Sequence, residues 1–178
     1  MNYLETLKAK IDQSNLWQKE ISLQRGEYLK VAGSTDTNLY YIKSGSLRIY
    51  FEDEYEEQIL RLGYKGNFIG ALDSFISEQP SELYIQAIKK LELKVLPKEN
   101  FQKWIAESVS NAQLWQTIMT ILVFEQIERE KDILTHSPLK RYQRVLKRSP
   151  HLFQYIPNKY IASYLRMAPE TLSRLKKH

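Results

Sequence analysis

Near the end of the chain, Tyr160-Ile161-Ala162-Ser163-Tyr164-Leu165 is followed, after Arg166-Met167, by Ala168-Pro169-Glu170-Thr171-Leu172-Ser173-Arg174-Leu175. The apolar spacing places Ile161, Ala162 and Leu165 on one face of a first short helix, and Leu172 and Leu175 on one face of a second. Pro169 suits the first position of that second helix, where its missing N–H costs nothing. Glu170, Thr171, Ser173, Arg174 and Lys177 then face outward. Short polar groups beside an arginine can hydrogen-bond base edges and phosphates in the major groove of DNA. Lys159, Tyr160, Arg166 and Pro169 complete this candidate surface. Two short helices joined by a tight turn have the form of a helix-turn-helix, and Ala162 is small enough to let the second helix approach the first.

Charge supports a polyanion as the partner. The net charge is only +5, but from His136 onward there are ten Lys or Arg against a single acid, Glu170. Residues 1–135 are acidic on balance. A basic region joined to an acidic body suits phosphate binding, because neutralised phosphates release counterions. The competing reading of this segment is a solvated cationic tail.

Other chemistries find little footing. There is no cysteine, so disulfides, thiol catalysis, zinc ribbons and iron–sulfur ligation are excluded. His136, His151 and His178 are too scattered for a metal-ligand spacing. No Ser–His–Asp pattern, phosphate loop or dinucleotide fingerprint occurs, and Gly66-x-x-x-Gly70 is too weak to count. No enzyme, cofactor or metal is expected. The first residues lack an apolar signal core, and no run approaches the roughly 18 apolar residues of a membrane helix. A soluble, cytoplasmic protein with no membrane partner is expected.

The elements that must position the basic region come in two textures. After a short helix within residues 1–18, carried by Leu4, Leu7 and Ile11, the chain turns to short aromatic and β-branched runs. These are Ile21-Ser-Leu23, Tyr28-Leu29-Lys30-Val31, Tyr40-Tyr41-Ile42, Ser46-Leu47-Arg48-Ile49-Tyr50-Phe51, Gln58-Ile59-Leu60-Arg61-Leu62, Tyr84-Ile85-Gln86-Ala87-Ile88 and Leu91-Glu-Leu93-Lys-Val95-Leu96. All six glycines lie between positions 26 and 70, at the turns. Many short strands with regular turn signals predict an antiparallel sandwich or barrel.

After Pro97 the texture is helical: one or two turns at 98–105, then a long helix from Val109 to Leu134. Its centre, Ile118-Met119-Thr120-Ile121-Leu122-Val123-Phe124, is apolar at six of seven positions. A helix apolar all round for two turns needs two partners, the β domain and either a symmetry mate or the C-terminal part. A homodimer contact through Ile118, Ile121 and Leu122 is expected. The charge-alternating run 125–131 reads as solvated. Pro138, behind Ser137, restarts a basic amphipathic helix.

Taken together, Tyr160 to Leu165 with Ala168 to Arg174 resembles the helix-turn-helix of the Crp/Fnr regulators. Upstream, Arg25-Gly26-Glu27, Gly33, the run Leu39 to Arg48 and Gly66-Asn-Phe68-Ile-Gly70 are similar to their cyclic-nucleotide-binding-like jelly roll. The resemblance spans nearly the whole chain and implies an α+β architecture in three parts. These are a β-barrel sensor over 1–108, a dimerisation helix over 109–135 and a helix-turn-helix domain over 136–178. It implies a homodimer binding a palindromic operator in double-stranded DNA. By the same resemblance Glu170 and Arg174 match base- and phosphate-contacting residues, whereas Pro169 falls where many members have an arginine. The sequence ends at His178, directly after the second helix, so no β-wing is expected behind it.

The sensor departs further. Members that bind cyclic AMP carry Gly-Glu-Leu for the ribose and Arg-Ser for the cyclic phosphate. Here Gly70-Ala71-Leu72 and Ser81-Glu82 stand in those places. A phosphate out of water needs a cationic or multi-donor partner, and a carboxylate opposes it. Cyclic AMP is therefore not the expected effector, and an unknown small molecule, or none, is left for the pocket at Gly70, Ala71, Leu72, Ser81 and Glu82. The alternative function is a cyclic-nucleotide-like sensor whose basic tail serves protein contacts or non-specific polyanion binding.

Overall fold

Period-two burial builds the first half of the molecule. Along β8 (Leu91–Leu96), Leu91, Leu93 and Val95 are buried while Glu92 is exposed, as expected of a strand with one face on a core. In the computed structural model, which describes residues 2–54 and 56–177, each of the seven runs read as strands coincides with a strand, save that Val31 and Ile88 fall just past the ends of theirs. The others are β1 (Lys19–Leu23), β2 (Tyr28–Lys30), β3 (Leu39–Ser44), β4 (Ser46–Glu52), β5 (Glu57–Tyr64) and β7 (Tyr84–Ala87). An eighth, β6 (Phe68–Ile69), pairs Tyr41 with Phe68; two residues are too few for any period to register. The order is β1-β8-β3-β6 in one sheet and β2-β7-β4-β5 in the other. Ile42, Leu91, Leu93 and Val95 of the first sheet meet Leu47, Ile49, Ile85 and Ala87 of the second in a jelly-roll core. Each such aliphatic side chain contributes roughly 1.5–3 kcal/mol of burial.

Gly45, between β3 and β4, sits at φ +87°, and a Cβ there would lie 2.0 Å from the Lys90 carbonyl oxygen. Only glycine fits that turn.

Helices close the ends. α1 (Tyr3–Gln13) starts at Asn2, whose Oδ1 accepts from Glu5 N–H. A short helix not foreseen from sequence, α2 (Leu72–Ser77), follows Gly70-Ala71 and buries Phe75. α3 (Lys98–Glu107) leads into α4 (Val109–Leu134), which begins where Ser108 Oγ accepts from Asn111 N–H at 3.1 Å. Leu7, Ile11, Leu96, Phe101, Trp104 and Ile118 form the second core, where α1, α3 and α4 cover the end of the sandwich.

α5 (Pro138–Arg148) starts at Ser137 with proline in its first turn, as the sequence indicated. The one-turn α6 (Leu152–Tyr155), too short to be read in advance, then leads to α7 (Asn158–Tyr164) and α8 (Pro169–Leu175). Ile161, Ala162, Leu165 and Leu172 are buried together with Val145, Leu152 and Ile156 in a third core. Ile88 belongs to it, and Leu62 and Tyr64 of β5 pack on it, so the helix-turn-helix rests on its own chain's sandwich. His178 lies outside the described residues. No described helix is long and apolar enough to cross a membrane.

Candidate nucleic-acid interface and sensor cavities

The inner face of the helix-turn-helix forms as its apolar spacing required: Ile161 and Leu172 are wholly buried, and Ala162 has no exposed surface. Met167 N–H donates to the Ala162 carbonyl at 3.0 Å, closing the turn. Arg166 occupies that turn at φ +51°, a left-handed conformation that costs a non-glycine residue about 1–2 kcal/mol. Beyond the turn, Pro169, Glu170, Ser173, Arg174 and Lys177 are exposed and Thr171 is half-buried. Lys176 Nζ donates to Asn158 Oδ1 at 2.9 Å, which ties the end of α8 to the start of α7.

The other three candidate residues lie toward the sandwich. Tyr160 is half-buried with the Arg48 guanidinium of β4 over its ring at 5.3 Å. Lys159 is exposed, its ammonium 4.6 Å from the same ring centroid. Arg166 Nη2 donates to Gln58 Oε1 of β5 at 3.2 Å.

The basic charge is partly spoken for. Asp132, at the end of α4, has no exposed side-chain surface and accepts from Arg144 Nε at 2.8 Å and from Arg148 Nη2. Arg144 also reaches Glu128 at 2.8 Å. Arg141 donates to the Thr135 and Arg166 carbonyls at 2.8 and 2.9 Å. These bonds join α4, α5 and the turn of the helix-turn-helix. Lys140, Lys147, Lys159, Arg174 and Lys177 make no ion pair with a described residue.

The long helix has two faces. Ile118 is buried in its own chain's core and Leu122 packs half-buried against it, whereas Ile121 is exposed. Val123, Phe124 and Ile127 continue the exposed apolar side. The reading of 125–131 as solvated is corrected at Arg129, which is 7% exposed.

Arg129 borders two adjoining cavities of about 230 and 190 Å³ between β5, α4 and the helix-turn-helix. Its guanidinium stacks on Tyr164 at 3.6 Å, and its one hydrogen bond among the described residues is a long 3.4 Å contact to the Ile59 carbonyl. Burial pulls its pKa down from the usual guanidinium value, against the pull of Tyr164 and Asp132. Gly70 and Leu72 line both cavities, while Ala71, Ser81 and Glu82 line neither.

Ser81 is consumed by the fold. It bridges to Ser34, its carbonyl accepts from Gly33 N–H at 2.9 Å, and its Oγ accepts from Leu83 N–H at 3.0 Å. Glu82 points to solvent. Lys30, which sequence reasoning passed over as a strand residue, is buried beside them. Its Nζ donates to the Val31, Ser81 and Leu83 carbonyls at 3.0, 3.1 and 2.9 Å. Burial lowers its pKa, although Asp73 and Asp36 pull the other way. All three ammonium protons are engaged by backbone, which leaves none for a phosphate.

The profile of the cyclic nucleotide-binding domain matches residues 20–108. No curated protein sequence matches the chain. Among solved structures the chain is similar to FixK2 from Bradyrhizobium japonicum, with TM-score 0.72, 17% identity, and 89% of this chain and 82% of that one covered. It is similar to a CooA mutant from Carboxydothermus hydrogenoformans at TM-score 0.71 and 18% identity, covering 99% and 83%. It is also similar to CLP, the c-di-GMP responsive global regulator of Xanthomonas campestris, at TM-score 0.66 and 17% identity, covering 96% and 90%. The chain thus shares the overall fold of these structures, and by its matched domain it belongs to the cyclic nucleotide-binding domain family.

Proposed function

We propose that the protein is a DNA-binding transcription regulator of the Crp/Fnr type, acting as a homodimer on a palindromic operator, with an effector other than cyclic AMP. The observation that carries this reading is the outward face of α8: Glu170, Ser173 and Arg174 are exposed while Leu172 behind them is completely buried. A helix held rigidly by its apolar side with polar groups and an arginine outward suits major-groove readout. The cations Lys140, Lys147 and Lys177, which make no ion pair with a described residue, supply the sequence-independent part of the affinity. Arg166 and Tyr160, engaged with β5 and β4, contribute after the helix-turn-helix leaves its seat or act only as supports.

The saturated Lys30 and Ser81 support exclusion of a cyclic phosphate from the family's usual place. The apolar outer side of α4, with Ile121 and Phe124, supports a second copy as the missing cover.

Selection of duplexes from a randomised pool tests it. The expected product is a palindrome with half-sites about one helical turn (~34 Å) apart. Arg174→Ala is expected to cost about 1–3 kcal/mol of discrimination at one base pair per half-site. Equal affinity for every duplex, unaltered by that substitution, overturns the reading in favour of a non-specific basic tail.

A further inference from the structure

Arg129 poses a problem that the fold alone does not solve. A guanidinium has five N–H donors and stays charged. This one is more than nine-tenths buried, has no carboxylate partner, and makes a single long bond to a carbonyl. Asp132, three residues on, is occupied by Arg144 and Arg148. Tyr164 offers its ring face, which covers the flat side of the guanidinium and leaves its edge free. Arg129 also lines the smaller of the two adjoining cavities.

Two further arginines line the same cavity: Arg61 of β5 and Arg166 of the helix-turn-helix turn. Neither is in an ion pair with a described residue; they hold only the amide oxygens of Gln126 and Gln58, at 3.4 and 3.2 Å. One carboxylate, Asp73, stands opposite. The formal charge of the lining is +2, with Arg129 buried, Arg61 half-buried, and Arg166 and Asp73 exposed at its mouth. The remaining wall is apolar, with Ile49, Leu60, Leu72 and Leu83 among its residues.

We propose that this cavity is a binding site for a small organic dianion, a phosphomonoester with an apolar body, whose phosphate is gripped by Arg129, Arg61 and Arg166. Planar guanidinium forks match phosphate oxygens in bidentate fashion. A phosphomonoester supplies the two charges that the site lacks; a cyclic phosphodiester supplies one. The occupant touches the sandwich through Arg61, the long helix through Arg129 and the DNA-reading domain through Arg166, so it is placed to couple all three. The assignment rests on the regulator reading above and gives its unknown effector a chemical class.

Phenyl phosphate is the probe, titrated into the full chain by calorimetry, with inorganic phosphate and cyclic AMP in parallel. Phenyl phosphate is expected to bind once per chain and at least tenfold more tightly than either of the others. Arg129→Met is expected to weaken it at least tenfold. That variant should melt no lower than the wild type without ligand, because it exchanges an unpaired buried charge for an apolar chain of similar length. Arg166→Gly, which suits the positive φ of its position, should also weaken binding several-fold and leave folding intact. No binding of phenyl phosphate at 10 mM overturns the proposal, and so does binding that survives Arg129→Met, which would place the anion on the exposed basic surface. Operator affinity measured on the same preparations separates the two readings. Loss of sequence selectivity with phenyl phosphate binding intact sinks the DNA-binding function and leaves the site standing.

Discussion

Asp132 shows how much rests on one carboxylate. Its side chain is wholly buried at the end of α4, and Arg144 and Arg148 of α5 close on it from one side. Removing the buried member leaves two half-buried arginines, 35% and 26% exposed, without the carboxylate they share. Asp132→Asn is therefore expected to destabilise the protein by about 3 kcal/mol, read as a fall in the midpoint of urea unfolding. A loss below about 0.5 kcal/mol would show that the solvent already reaching the two arginines satisfies them without a partner. None of this was legible in the sequence, where Arg129 sits within the charge-alternating run 125–131 and Asp132 directly follows it, a pattern that resembles an exposed helix end. Their burial is tertiary, imposed by α5 and the helix-turn-helix folding back onto that face. By contrast, Ile161, Ala162, Leu165 and Leu172 were readable because helical spacing alone puts them on the inward side. Ser81 and Glu82 were placed in an effector pocket by alignment to a motif, and the structure sets them apart from both cavities that Gly70 and Leu72 line.

At the scale of elements, strands and long helices were legible because their periods extend over several residues. β6, α2 and α6, with two, six and four residues, are shorter than any period can resolve. The long helix was read correctly in extent, but its two apolar sides could not be assigned without knowing where α1 and α3 pack. Ile118 faces inward, so Ile118→Ala should cost about 2–4 kcal/mol of monomer stability. Phe124, 64% exposed, is the better probe of self-association. Phe124→Glu is expected to abolish the proposed self-association in sedimentation without lowering the thermal midpoint of the isolated chain, and a variant that stays dimeric would move the interface elsewhere.

α1 gives a pH prediction of its own. Burial opposes ionisation of Asp12, yet bonds from Lys8, Lys94 and Trp17 bring its pKa down to about 2. Its native value thus lies below the unfolded one, so its contribution is complete above about pH 4 and is lost as pH falls toward 2. Asp12→Asn should lower stability at neutral pH by about 1 kcal/mol, after allowance for its partial exposure, and flatten the stability profile between pH 2 and 4. An unchanged acid limb would exclude this link between α1, β8 and Trp17.

The whole molecule is an acidic body carrying a basic end, but the formal charge of that end overstates what DNA can use. Arg144 and Arg148 are ion-paired with Asp132, Arg144 also with Glu128, and Arg141 caps backbone carbonyls. Lys140, Lys147, Lys159, Arg174 and Lys177 are left as cations with neither an ion pair nor a side-chain hydrogen bond to a described residue. In a dimer each is present twice, and not all can face phosphate at once. With four to eight phosphates neutralised, the slope of log K against log salt should lie between about −4 and −7. Lys177→Gln, removing one contact from each half-site, should make that slope shallower by about 2 while leaving the preferred sequence unaltered, because phosphate contacts position the protein and do not read bases. Arg174→Ala should do the reverse, changing sequence preference more than salt dependence. A slope steeper than about −9 would mean that Arg144 and Arg148 abandon Asp132 on the operator, so that DNA binding itself opens the joint between the long helix and the reading domain.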